Sequence, residues 1–339
     1  MNLYGITAAY TVVLSTLWGS VPIRVAVSIS NPYYHKDVSN LELETRDDPM
    51  SSTKAIMRYH GAKWRLAPWI IKQFPNHYCY AEPFGGSAAV LLSKEPAARE
   101  VYNDKNDELV TLFNVIRDDD MRRELLRLMV MTPYSRTEFD FAKEYTRAYR
   151  DGRGKIEGGL SSVMTAHQLL VRAQMGFGSS GATRSNTGFR IDTAKGGTSV
   201  QSLWSELPES IIAVTERLRN VIIENTDAYN VIKQHDRDDT LFYVDPPYLT
   251  DTRVNTDSYG AYEMILHEHE RLLKLINKSA GKFVVSGYDS EVYNDMLAGW
   301  SCKYSETTAS SGGRSGSSKR VECLWISPSC ESAQLDMFG

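Results

Sequence analysis

Residues 77–104 read HYCYAEPFGGSAAVLLSKEPAAREVYND. His77 to Glu82 is a short β-favouring run closed by Pro83-Phe84-Gly85-Gly86; Ser87 to Ser93 then starts a helix, and Arg99 to Tyr102 forms the next strand, ending at Asn103-Asp104. A helix with apolar Leu109, Leu112, Phe113 and Ile116 follows, so one βαβ unit is complete. Val221 to Glu224, Thr240 to Val244 and Lys282 to Ser286 supply three further apolar strands. Helical patterns lie at Tyr229 to Gln234, Glu263 to Ser279 and Glu291 to Leu297. Strands alternating with helices predict an α/β fold with a mainly parallel sheet. The last pair, Cys302 to Thr307 and Arg320 to Ile326, flanks a Ser/Gly-rich stretch with no helix between and reads as an antiparallel hairpin.

One gap interrupts this repeat. More than a hundred residues separate Tyr102 from Val221, far beyond one crossover, which predicts a second domain inserted over 117–218 between the segments 53–116 and 219–339 of the first. The gap also carries the charge asymmetry. Between Asp120 and Lys195 stand 13 Lys or Arg against 8 Asp or Glu, a local +5 inside a chain whose net charge is −4. A basic middle in an acidic whole suits a segment that binds a polyanion, and equally suits solvated helix faces. The composition, 42% hydrophobic and 24% charged, excludes collagen-like, coiled-coil and wholly disordered classes. Four cysteines without a CxxC pair argue against a zinc ribbon or a disulfide framework and for a reducing, cytoplasmic compartment.

Residues 1–52 read as an N-terminal extension outside the folded unit, which is expected to begin near Met50 or Met57. Met1 to Ile23 lacks charge, as a membrane span or signal peptide would, but no Lys or Arg precedes the run and Ser15, Thr16, Gly19, Ser20 and Pro22 interrupt it. Membrane contact is therefore not expected. Lys36 to Ser52 reads as a linker.

Two motifs carry chemistry. A glycine pair between strand and helix lets a ligand approach the backbone closely, and Asp104, 18 residues after Gly86, stands where an acidic group at the next strand's end can hold ribose hydroxyls. The turn departs from GxGxxG, so this alone leaves nucleoside binding and a plain tight turn both open. Asp245-Pro246-Pro247-Tyr248 follows the apolar LFYV strand and so falls at the carboxyl edge of the sheet, where open α/β sheets bind ligands. There the Asp245 side chain and a proline carbonyl can accept both hydrogens of one amino group while the Tyr248 ring stacks on a planar base. His267-Glu268-His269 lacks the HExxH spacing and reads as a solvated helix face; no metal site is expected.

Taken in order, YHGAK (Tyr59 to Lys63), AEPFGG (Ala81 to Gly86), YNDKN (Tyr102 to Asn106), ENTDAY (Glu224 to Tyr229), DPPY (Asp245 to Tyr248), FVVSGYDS (Phe283 to Ser290) and ECLWIS (Glu322 to Ser327) resemble the Dam-type, alpha-class DNA adenine methyltransferases. The resemblance covers roughly Met57 to Ser327. It implies a Rossmann-like AdoMet-dependent methyltransferase sheet with an inserted, mainly helical target-recognition domain. It also implies S-adenosyl-L-methionine (AdoMet) as methyl donor and double-stranded DNA as substrate, in a restriction-modification, phage or orphan setting, with a cognate endonuclease as a further partner in the first of these. Tyr59, Lys63, Glu82, Phe84, Gly85, Gly86, Asp104, Asp227 and Asp245 would line the AdoMet pocket, Asp104 at the ribose and Asp227 at the cofactor's adenine amine. Asp245, Pro246, Pro247 and Tyr248 would receive a flipped-out adenine.

Within the glycine-rich stretch Gln174 to Arg190, which lacks the GK[ST] of a phosphate loop, the resemblance implies a DNA-reading hairpin with Arg184, Asn186 and Arg190 as DNA contacts. Ser185 stands where family members carry an intercalating aromatic, and Phe189-Arg190-Ile191 departs from their Phe-Asn-x-Pro, which puts the familiar GATC target in doubt. Methylation of the cytosine 4-amino group or of an RNA base, and a non-catalytic DNA-binding or AdoMet-sensing protein, are the alternative readings.

Overall fold

A computed structural model describes residues 9–16, 19–26, 55–152, 159–179, 181–183, 187–191, 198–249, 259–309 and 318–335. The chain divides into two compact units, Met1–Ser51 and Ser52–Gly339. In the first, β1 (Ala9–Thr16) pairs antiparallel with β2 (Gly19–Ala26), Thr16 facing Gly19. The described part of the uncharged run, 9–16 and 19–23, is thus strand, as its β-branched Thr11, Val12, Val13, Val21 and Ile23 favour. Among the described residues no helix is long and apolar enough to cross a membrane.

The second unit is built on a seven-stranded sheet. Its strands in chain order are β3 (Cys79–Glu82), β4 (Arg99–Asn103), β5 (Val221–Glu224), β6 (Thr240–Val244), β7 (Lys282–Tyr288), β8 (Ser301–Ala309) and β9 (Ser318–Ile326), arranged across the sheet as β5-β4-β3-β6-β7-β9-β8. The first five run parallel and β9 is antiparallel to both its neighbours. β3 and β6 are buried along their whole length, because a central parallel strand is covered on both faces and reads as a continuous apolar run. Strand order reverses between β3 and β6, so the loops leaving these two strands diverge and open a crevice at their carboxyl ends. The predicted hairpin of the last two strands is present, with the added feature that β9 inserts between β7 and β8.

Helices cover the faces. α1 (Ala67–Ile71) and α2 (Ala89–Ser93) flank the glycine turn; α2 begins two residues later than predicted, because Ala88 holds a left-handed backbone at φ 55°. After α3 (Asp107–Arg117) come α4 (Asp119–Met131), α5 (Arg136–Arg150), α6 (Gly159–Met175), α7 (Val200–Ser205) and α8 (Leu207–Leu218). Asn106, Asp118 and Ser135 cap α3, α4 and α5 by accepting from backbone N–H groups of the first turn. The remaining helices are α9 (Ala228–His235), α10 (Leu266–Ile276), α11 (Glu291–Met296) and α12 (Pro328–Leu335). α10 is shorter than the predicted Glu263–Ser279. His269 lies on its buried face and its Nδ1 meets the Tyr293 hydroxyl at 2.8 Å, which corrects the reading of His267–His269 as wholly solvated.

Residues 117–218 are mainly helical, yet they share one core with the sheet-covering helices: Leu109, Leu112 and Phe113 of α3 pack in the same cluster as Leu125 and Met129 of α4 and Leu169 and Leu170 of α6. A buried ion pair crosses this junction. Glu108, in the first turn of α3, receives Arg172 Nη2 at 2.5 Å and Arg150 Nε at 3.0 Å. The fully buried Arg172 also donates to the carbonyls of Gly181 and Ala182 at 3.1 and 3.3 Å. The chain after α6 can fold this tightly only with glycine, since a Cβ at Gly181 or Gly176 would stand 2.1 or 2.6 Å from the Arg172 carbonyl oxygen.

Candidate active site

The crevice between β3 and β6 is a cleft into which four strand ends and one N-terminal segment converge. β3 delivers Glu82 and the turn Phe84-Gly85-Gly86, β4 delivers Asp104, the β5–α9 turn Asp227 and β6 Asp245; Tyr59 and Lys63 come from the segment preceding α1. All nine residues expected around a cofactor therefore line one cavity. Of the residues expected around a target base, Asp245 and Pro247 line it, whereas Pro246 is buried and Tyr248 is 9% exposed.

The glycine pair is required by its surroundings. A Cβ on Gly85 would fall 2.2 Å from the buried Tyr102 ring, and Gly86, at φ +50°, lies against the Tyr59 ring. Gly86 N–H donates to Asp104 Oδ2 at 2.8 Å, and Asn106 N–H to Oδ1 at 2.8 Å, so the carboxylate anticipated from its spacing is tied back to the turn. Burial pushes the Asp104 carboxyl up to about 6, against the opposing pull of these backbone donors. Asn103, which the motifs do not single out, bonds Pro83 O, Thr226 O and Thr226 N, binding three loops of the cleft together. Asp227 caps α9 through Tyr229 N–H at 3.0 Å, and its Oδ2 lies 3.8 Å from Lys105.

Around the Asp245 turn the charges are dense. Lys63 Nζ stands 2.9 Å from Asp245 Oδ2 and 3.3 Å from Glu322 Oε1, with its third hydrogen-bonding direction on Gly61 O at 3.0 Å. The ammonium also sits 4.8 Å from the centre of the Tyr248 ring. Tyr248 donates its hydroxyl to Glu322, with Ser286 Oγ 3.0 Å away. Asp245 Oδ1, by contrast, is buried with no hydrogen-bond partner among the described residues. Burial raises the Asp245 carboxyl above the ordinary carboxylate range, an effect that Lys63 opposes and Glu322 reinforces. Although burial disfavours its charge, Lys63 is held well above its usual value by Asp245 and Glu322. Burial carries Glu82 up to about 8, so it is mostly protonated at neutral pH, hydrogen-bonded to the Tyr80 hydroxyl at 2.7 Å.

Three features at the cleft were given no site role by the sequence: Tyr259 and Ala261 to Met264 in its lining, and Ser286 and Glu322 beside the Asp245 turn. Ser286 and Glu322 stand inside the FVVSGYDS and ECLWIS stretches, and Glu322 is the acidic residue of an otherwise apolar ECLWI strand. Arg184 and Asn186 lie outside the described residues. Arg190 is described: its N–H donates to Met175 O and its carbonyl accepts from the Tyr134 hydroxyl, beside an antiparallel bridge between Gly176 and Phe189. Among the described residues no group of three or more His, Cys, Asp or Glu is placed to hold a metal ion.

This arrangement can seat an elongated polar ligand between acidic walls and present a carboxylate oxygen to a second group entering beside Tyr248. Comparison with known proteins agrees. The profile of the D12 class N6 adenine-specific DNA methyltransferases matches residues 59–310. A type II methyltransferase, M1.LlaDCHI of Lactococcus lactis subsp. cremoris, is 25% identical over 273 residues, covering 78% of this chain and 91% of the relative. The DNA adenine methylase of Haemophilus influenzae is 36% identical over 70 residues, 20% of this chain and 24% of the relative. That of Escherichia coli is 26% identical over 102 residues, 29% and 36% of the two chains.

Proposed function

We propose a division of labour among these residues that starts from one premise: the chain belongs to the D12 class N6 adenine-specific DNA methyltransferase family. Its reaction is methylation of the adenine 6-amino group in DNA. The observation that carries the residue assignment is the unpartnered Asp245 Oδ1 at the edge of a cleft that also holds the glycine turn and Asp104.

The cleft suits AdoMet by its chemistry. That molecule carries a sulfonium, an ammonium and two ribose hydroxyls, and it meets a wall bearing Asp104, Asp227 and Asp245, with the mostly protonated Glu82 beside them as an uncharged hydrogen-bonding group. Asp104 would take the ribose hydroxyls, Asp227 the adenine amine, Gly85 and Gly86 the close approach of the methionine part, and Tyr59 and Phe84 its apolar contacts. When bound, AdoMet supplies an electrophilic methyl group.

The protein's part is to make the amine reactive. An aromatic amine is a weak nucleophile because its lone pair is delocalised into the ring. Asp245 Oδ1 and the Pro246 carbonyl accept its two hydrogens, which turns the nitrogen toward a tetrahedral shape and localises the lone pair. Pro246 and Pro247 fix the backbone of that clamp, and Tyr248 offers its ring to the base. Once methylated, the nitrogen carries one proton too many; Asp245 Oδ1 already faces it, and burial has strengthened it as a base. Holding both reactants in line supplies much of the remaining rate.

The DNA role falls to the inserted segment 117–218, supported by its basic charge and by Arg190 beside the Gly176–Phe189 bridge, with Arg184 and Asn186 as the further expected contacts. A DNA substrate places the reaction in the cytoplasm, in a restriction-modification, phage or orphan setting. Incubation with labelled AdoMet and unmethylated genomic DNA, followed by nucleoside analysis, should give N6-methyladenine in one recurring word. Methylcytosine, or label confined to RNA, would overturn the assignment. Replacing Asp104 by alanine removes charge-assisted hydrogen bonding with a net worth of about 1.5–3 kcal/mol, so calorimetric AdoMet affinity should fall roughly 10- to 150-fold. In the wild type the affinity should be full above about pH 6 and decline as pH falls through that value, because the carboxylate then takes up a proton.

A further inference from the structure

The strand β9 carries a carboxylate that methyl transfer itself does not call for. Glu322 is 4% exposed and is followed along β9 by the buried apolar residues Cys323, Leu324, Trp325 and Ile326. A charge in that position persists only if it is paired, and all its partners belong to the catalytic turn or serve it. Its Oε1 lies 3.3 Å from Lys63 Nζ, accepts the Tyr248 hydroxyl, and stands 3.4 Å from Ser286 Oγ. Lys63 in turn reaches Asp245 through Oδ2, at 2.9 Å, and Oδ1 has no hydrogen-bond partner among the described residues.

We propose that Glu322 is a positioning residue for methyl transfer: by competing for the Lys63 ammonium and holding the Tyr248 hydroxyl, it keeps Lys63 on one oxygen of Asp245 and so reserves the other for the adenine amine. The inference rests on the assignment of Asp245 as the amine acceptor. One cation between two carboxylates leaves a net negative charge at the turn. Were Glu322 neutral, the ammonium would have a single anionic partner and could settle between both Asp245 oxygens, filling the acceptor site and weakening the carboxylate as a base. Tyr248 would also lose the acceptor that fixes its ring. Lys63 alone cannot achieve this, because its pull on Asp245 is attractive toward either oxygen.

The electrostatics give a readout that a merely structural residue would not move. Asp245 is faced by Lys63 from the N-terminal segment, Glu82 of β3, Tyr243 of β6, Tyr248 of the turn, Tyr293 of α11 and Glu322 of β9. The negative Glu322 favours the protonated form of Asp245, so neutralising it shifts Asp245 toward ionisation at lower pH.

The test uses full-length protein on DNA in which the wild type forms N6-methyladenine; failure of the wild type on that substrate would count against the amine-acceptor assignment and leave Glu322 aside. Glu322→Gln should lower kcat about 10- to 100-fold, leave the KM for AdoMet within about threefold, and move the acid limb of the kcat profile to lower pH. Adding Glu322→Gln to Lys63→Met should cost less than the two single losses combined, since the part of the carboxylate's action that runs through the lysine is already gone, and only its hold on the Tyr248 hydroxyl is left to lose. Unchanged kcat in Glu322→Gln, an unmoved acid limb, or fully additive losses in the double variant would each overturn the proposal. If Glu322→Gln does not fold, Glu322→Asp is read instead. It keeps the charge, and should hold the wild-type acid limb with a kcat loss of about tenfold or less; a rise in KM at unchanged kcat would overturn the proposal.

Discussion

Asp245→Ala should reduce kcat by about 10³-fold while AdoMet and DNA binding stay within severalfold of wild type. The magnitude follows from what one group supplies. Asp245 Oδ1 both localises the amine lone pair and stands ready for its proton, and a single electrostatic or acid–base contribution of this kind is worth roughly 10²–10⁴ in rate. Folding should survive, because Lys63 keeps Glu322 as its counter-charge and Gly61 O as an acceptor. Asp245→Asn should be nearly as damaging. Its amide oxygen would turn to the Lys63 ammonium, leaving the NH2 group to face the hydrogens of the target amine. Single-turnover methylation with preformed enzyme–DNA complex separates this from weakened binding; a loss smaller than tenfold in either variant would remove Asp245 from the chemistry.

The second large effect is on stability. Arg172→Ala should cost about 3–5 kcal/mol in denaturant unfolding, the usual result of removing one partner from a buried ion pair. Glu108 is itself buried and would keep only Arg150, whose side chain is 31% exposed and so shares its charge with water. The variant also frees the carbonyls of Gly181 and Ala182, which lead directly toward Arg184 and Asn186. DNA affinity should therefore fall more than AdoMet affinity does at temperatures where the variant remains folded. A stability loss under about 1 kcal/mol would mean that the Glu108–Arg172 pair contributes little beyond an apolar contact.

Much of the sheet was legible because its central strands are covered on both faces. Cys79–Glu82 and Thr240–Val244 are apolar runs with no polar alternation, and the glycine turn and Asp-Pro-Pro-Tyr punctuate their ends. Hence the glycine turn, Asp104 and Asp245 could be read from the strand ends, whereas Tyr59, Lys63, Glu82, Phe84 and Asp227 rested on the family resemblance. What escaped depends on packing between distant segments. Lys63 was legible as a cleft residue, but its partnership with Glu322 arises only when β9 inserts beside β7, a topological fact that no local pattern encodes. His269 illustrates a different loss. Its charged neighbours His267, Glu268 and Glu270 suggest a solvated helix, yet 269, 272, 273 and 276 form the i, i+3, i+4, i+7 stripe of a buried face, and Leu272, Leu273 and Ile276 complete it. The N-terminal run misleads through its lack of charge, which strand and membrane helix share; only its β-branched content separates them. The helices after α3 share an apolar cluster with it, a packing between segments that no local pattern in the sequence encodes.

On the proposal that segment 117–218 reads DNA, that shared cluster governs how such a protein can change its target. A recognition segment with its own core could be exchanged between relatives as a cassette. Here the segment cannot be grafted without also supplying the faces of α4 and α6 that fill the space beside Leu109, Leu112 and Phe113. New specificity is therefore expected to accumulate in the connection between α6 and α7, while the helices that carry it drift slowly, held by the same packing that holds the catalytic sheet.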